Sequence, residues 1–173
     1  MFSFFKKDPE KIIRVFFKEH IPAQIGLVGR FEFAAYYIFI QDYCFYNAQA
    51  SEEVRSLAYS YAVKSCHVEF SGIVSLERIK KAIDNRLYQH YTHAVKNATK
   101  DQYFSAAGEE LEFLALRQNE TDPFEEIPNR AFGIRLIGFL ELIAHKQICA
   151  QYTKECITTS SEIKSIIDKE LRR

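Results

Sequence analysis

Glu141 and His145 stand one helical turn apart in an otherwise apolar stretch, Phe139-Leu140-Glu141-Leu142-Ile143-Ala144-His145. A carboxylate beside an imidazole is the simplest proton-transfer pair, and both groups also ligate metals. Buried together, the carboxylate favours protonated His145 while loss of water opposes it. The same spacing suits an i,i+4 pair at the edge of a helix contact or a dimer interface, and that structural reading is preferred. A carboxylate-bridged di-iron bundle needs Glu-x-x-His on two helices; here the spacing is Glu-x-x-x-His, and it occurs once.

His90 and His93, in Tyr88-Gln89-His90-Tyr91-Thr92-His93, are the candidate metal pair. Three residues apart on a helix, they can share an ion only with a further ligand, for which Glu109, Glu110 and Glu112 are the candidates. His90 also falls within an apolar stripe, where a packed imidazole is the plainer reading. Tyr36 and Tyr43, in an aromatic run from Tyr36 to Tyr46, are candidates to line a ligand pocket; the plainer reading is again core. No Gly-rich phosphate loop, Gly-x-Ser-x-Gly, His-Glu-x-x-His or kinase signature occurs, and no cofactor is implied.

Charge points the same way. Lys+Arg and Asp+Glu both number 23, so no net field steers the chain to nucleic acid or an anionic membrane. Between Arg78 and Lys100 there are six bases and one acid; between Glu109 and Glu126 there are seven acids and one base. Two neighbouring segments with complementary faces explain this better than a nucleic-acid stripe through Arg78, Lys80, Lys81 and Arg86. The four cysteines, Cys44, Cys66, Cys149 and Cys156, form no Cys-x-x-Cys pair and read as reduced, packed thiols of a cytoplasmic protein. The longest apolar run, Phe33 to Ile40, is far short of the roughly 18 residues of a membrane span.

The elements that must position these residues read as helices. Six Gly and four Pro in 173 residues are too few for the frequent turns of an all-β fold. Asp8-Pro9 opens a first helix with the stripe Ile12, Ile13, Phe16 and Phe17. A second runs from Pro22 to Asn47 and is apolar all round, hence central. Ser51 and Ser75 cap a third and a fourth, and Ser71-Gly72 separates them. Thr99-x-x-Gln102 is a capping box for a fifth, in which Gly108 would let another backbone approach. Residues 119–129 form a connector. A sixth helix spans Asn129 to Cys156, its main stripe Phe132, Leu136, Phe139, Ile143 and Ala150, with Ile134, Ile148 and Tyr152 on the opposite, interface-forming face. Thr159-x-x-Glu162 is a capping box for a seventh.

The expectation is therefore an all-α, single-domain bundle of about seven helices around two long central ones, Pro22–Asn47 and Asn129–Cys156. Ser51–Leu57, SEEVRSL, and Ser160–Ile166, SSEIKSI, together with the Asp-Pro and Ile-Pro pairs, allow a pseudo-repeat of 8–70 and 122–173, with 71–121 intervening. Good helix starts resemble one another in any case. The functional expectation is a protein-interaction or regulatory module that pairs as a homodimer. The alternative is a helical enzyme or small-ligand carrier using Glu141 and His145.

Overall fold

The computed structural model describes residues 7–21, 26–115, 122–127 and 139–172, with side chains of the last stretch described from residue 147 onward. It is all-α: α1 (Pro9–His20), α2 (Leu27–Asn47), α3 (Glu52–Glu69), α4 (Leu76–Asn85), a π-helical segment (Arg86–Tyr91), α5 (Thr92–Val95), α6 (Tyr103–Ala115) and α7 (Phe139–Leu171). α4, the π segment and α5 form one continuous rod. Among the described residues no helix is long and apolar enough to cross a membrane.

The helix starts follow the local chemistry. The Asp8 carboxylate accepts from the Glu10 N–H at 2.9 Å, with Pro9 behind it. Ser51 and Ser75 accept from the Val54 and Arg78 N–H groups, each at 3.3 Å. At Thr99 the Gln102 side chain reaches back to the Thr99 N–H at 3.4 Å, but the helix begins at Tyr103. α2 ends in a Schellman arrangement: Gln49 N–H to the Tyr46 carbonyl and Ala50 N–H to the Phe45 carbonyl, with Gln49 at φ 54°.

α2 is the axis of the bundle. Every residue from Phe31 to Gln41 is buried, because α3, α6, α7 and the π segment all pack on it and α1 reaches it through Phe16 and Phe17 on Tyr37. α7 lies beside α2 and also packs on α6, α1 and α3. Among its described side chains, Cys149, Tyr152, Thr153, Cys156, Ser160, Ile163 and Ile167 form an inner line, while Ala150, Gln151 and Lys154 are exposed.

Two expectations change here. There is no break between a sixth and a seventh helix, since α7 runs through 156–162 without interruption. Thr159, expected to cap, lies inside the helix, and the hydroxyls around it turn back one turn: Thr153 to the Cys149 carbonyl at 2.7 Å, Thr158 to Lys154, Ser160 to Cys156 and Ser161 to Ile157. SEEVRSL therefore starts a helix, whereas SSEIKSI lies inside one. The expected faces of the sixth helix are also exchanged where described: Tyr152 is buried and Ala150 exposed.

Candidate functional site

The densest polar chemistry lies inside the bundle, where the π segment faces α2 and the strap 122–127. Arg86 is wholly buried and is among the largest fully buried side chains. Its Nε donates to both oxygens of Glu32, at 3.0 and 3.2 Å, and one terminal nitrogen donates to Glu32 Oε1 at 2.8 Å. The remaining N–H groups reach the Asn85 side-chain oxygen at 2.9 Å, the Pro123 carbonyl at 3.2 Å and the Glu125 carbonyl. The guanidinium also lies 5.3 Å from the centre of the Phe31 ring. Every donor of the fork is used. That completeness lets a charge sit at zero exposure beside an equally buried Glu32.

One turn on, His90 Nδ1 lies 3.0 Å from Glu110 Oε1 and Nε2 lies 3.0 Å from the Ile127 carbonyl. A carbonyl only accepts, so Nε2 carries a proton. The contact on the other side of the ring then needs a proton held between Nδ1 and the Glu110 carboxyl. Asn85 completes the clamp, accepting from the Ile127 N–H at 3.0 Å and donating to its carbonyl at 3.1 Å. At the outer end Arg78 ion-pairs with Asp122. Phe124 fills the apolar part, edge-on to Phe31 at 5.1 Å and Phe70 at 5.6 Å. The basic and acidic segments of the sequence thus meet each other.

A second feature is an open groove of about 380 Å³ between α6 and α7, lined by Phe104, Gly108, Glu109, Glu112, Cys149 and Thr153 among others. Among the described residues nothing lies within 4 Å of where a Cβ on Gly108 would be. Gly108 therefore opens the groove and admits no second backbone. Burial, with Glu112 adding to it, pushes the Cys149 thiol up to about 12, and burial pushes Cys44 up to about 11.

His90 and His93, the candidate metal pair, are not brought together: His90 is buried with both nitrogens engaged, and His93 is exposed. Among the described residues no three His, Cys, Asp or Glu side chains converge as a metal site. Tyr36 is core, its hydroxyl 2.7 Å from Thr153 Oγ1, and burial raises its pKa well above the ordinary value. Tyr43 is half-buried and stacks on Tyr103 with ring centres 3.7 Å apart. Tyr152, expected at an interface, donates to the Phe33 carbonyl at 3.0 Å inside the core, and Ile148 is half-buried. Ile134 and the side chains of Glu141 and His145 lie outside the described residues.

The sequence reading missed Glu32 and Asn85 and misplaced Arg86; Glu110, one of the three acids considered beside His90 and His93, does meet His90, as a hydrogen-bond partner. A signal existed for Arg86: it stands seven residues after Ile79 and three after Ile83, on the buried face of its helix. Compared with protein-family models, curated proteins and solved structures, the chain finds no match.

Proposed function

We propose that this chain is a helical protein-interaction module that pairs with a second copy of itself. The observation that carries this reading is the turn joining α3 to α4. Val68, Ile73 and Leu76 there are 41%, 56% and 43% exposed. Each such apolar side chain gains roughly 25 cal/mol for every Å² that a partner covers. Among the described residues, groups suited to chemistry point inward: Arg86 and His90 are engaged by their neighbours, and burial raises the Cys66 and Cys156 thiols above their ordinary value. Four free thiols suit a reducing compartment, which favours the cytoplasm.

Light scattering across a concentration series tests the reading. Wild-type protein is expected to move from 20.2 kDa toward twice that mass, and the double variant Ile73→Asp, Leu76→Asp to stay monomeric. A wild-type mass that never rises removes the proposal.

A second reading, a small-ligand carrier, is favoured by the α6–α7 groove, whose volume falls within the range of ligand sites. Gly108→Trp would fill the groove from a position with open space. A ligand that raises the melting temperature of the wild type and not of this variant would support the carrier; an equal rise in both would place the ligand elsewhere.

A further inference from the structure

The groove between α6 and α7 carries charge of one sign. Among the described residues that line it, the charged ones are Glu109 and Glu112, both carboxylates. They stand one turn apart on α6, which sets their Cβ atoms about 5–6 Å from each other. Glu112 is buried and Glu109 exposed, so negative charge runs from the inner part of the groove to its mouth. The field of Glu112 reaches the α7 wall, where it adds to burial in raising the Cys149 thiol.

The rest of the lining suits an apolar body. Phe104 is held edge-on to Tyr43 and Tyr103, with ring centres 5.5 and 5.9 Å away. Gly108, one turn further along α6, puts no side chain into the groove, and Ala150 on α7 offers a single methyl. The Thr153 hydroxyl gives its one proton to the Cys149 carbonyl at 2.7 Å, so it does not donate to an anion.

We infer that the groove binds an organic ammonium ion: an aliphatic primary amine whose head meets Glu109 and Glu112 and whose alkyl body lies over Gly108 between Phe104 and Ala150. This is the site of the carrier reading, on which the inference rests, and the ammonium is its ligand class. Charge decides against a carboxylate or phosphate ligand, which would bring more negative charge to two carboxylates in partly dehydrated surroundings. Size decides against a single metal ion, since about 380 Å³ is far more than one ion fills, and among the described residues no three ligating side chains converge. An ammonium has three donors and a carboxylate about four acceptor positions, so each glutamate can take the head while keeping a partner of its own. Methylenes beside the nitrogen gain from covering Phe104 and from the face of its ring.

Three probes of nearly equal length test the assignment: pentylamine, pentanol and pentanoate, titrated into the full chain near neutral pH and at low salt, with binding read by ligand-detected NMR. Pentylamine is expected to bind in the millimolar range, about tenfold tighter than pentanol, with pentanoate weakest. Glu112→Gln keeps the volume and removes the charge; it should weaken pentylamine about tenfold and leave pentanol unchanged. Gly108→Trp should abolish both. If Glu112→Gln loses its helical circular dichroism, Glu109→Gln at the exposed mouth carries the test, with an expected loss of about threefold for pentylamine alone.

Pentylamine and pentanol that bind alike, both blocked by Gly108→Trp, overturn the ammonium assignment and leave the carrier reading standing. Pentylamine binding that neither glutamine variant weakens has the same consequence. Pentylamine that binds Gly108→Trp as well as wild type lies elsewhere and overturns the site. If no probe binds the wild type, the ammonium assignment falls and the carrier reading loses its ligand with it.

Discussion

Arg78 and Arg86 lie eight residues apart on one helical rod and hold the same strap, yet they live in different solvents. Arg78 pairs with Asp122 with its side chain 54% exposed; Arg86 pairs with Glu32 with both side chains at 0%. In water the Coulomb attraction of a pair is screened and offset by the entropy of two long side chains. In the core a charge has no alternative to its partner, so removing that partner is the costly act. The two residues are the same type in the same rod. What separates them is which side of the rod faces α2.

The largest expected effect follows directly. Arg86→Ala removes the guanidinium that faces the buried Glu32 carboxylate and frees two strap carbonyls, and should cost about 3–5 kcal/mol in urea unfolding. The double variant Glu32→Leu, Arg86→Met removes both charges at similar volume and should recover most of that loss, leaving about 1–3 kcal/mol for the strap groups left unpaired. A double variant as stable as wild type would show that Arg86 answers Glu32 alone and contributes nothing through the strap.

The buried thiols extend the comparison to pH. Burial raises Cys66, Cys149 and Cys156 above the ordinary 9.0, Cys149 to about 12. With rising pH the unfolded chain releases these protons first. The stabilisation is complete below the unfolded value, falls as pH climbs past it, and for Cys149 is gone by about 12. Each such thiol should contribute a slope of about 1.4 kcal/mol per pH unit above 9. Replacing Cys149 with Ser should flatten the alkaline limb by one such slope; an unchanged limb would mean that this thiol is not protected.

How much of this was legible differs from element to element. The class, the starts of α1, α3 and α4 and the central place of α2 follow from caps and apolar runs, which are local physics; α2 itself begins at Leu27, after Gly26, and not at the expected Pro22. The interior network was not legible, because Glu32, Arg86 and Glu110 carry no mark of burial beyond their register against neighbouring apolar residues. The π segment adds a residue to the turn and shifts the register that a 3.6-residue wheel assumes. At SSEIKSI the local signal itself misled: serine and threonine bond to a following N–H at a helix start and to a preceding carbonyl inside a helix.

The serines make that difference measurable. Ser51→Ala removes the acceptor of the Val54 N–H and should cost about 1 kcal/mol. Ser161→Ala removes only a back-bond to the Ile157 carbonyl at an exposed site, and alanine's helix preference should make it neutral or stabilising by a few tenths of a kcal/mol. Equal losses at both positions would mean that residue 161 also caps a helix end and that the two seven-residue stretches act alike after all.

Arg78→Ala is the smallest expected loss, and it sharpens the opening contrast. The pair is exposed, so its loss should cost about 0.2–1 kcal/mol in dilute buffer. The cost should shrink further as salt rises toward 1 M, where screening acts over about 3 Å. Arg86→Ala should show no comparable salt relief, because ions do not reach Glu32. Measured side by side at low and high salt, the two alanine variants give one curve that depends on salt and one that does not. Two curves that move together would mean that the inner pair is also in contact with solvent, and the distinction between the two ends of the strap would fall.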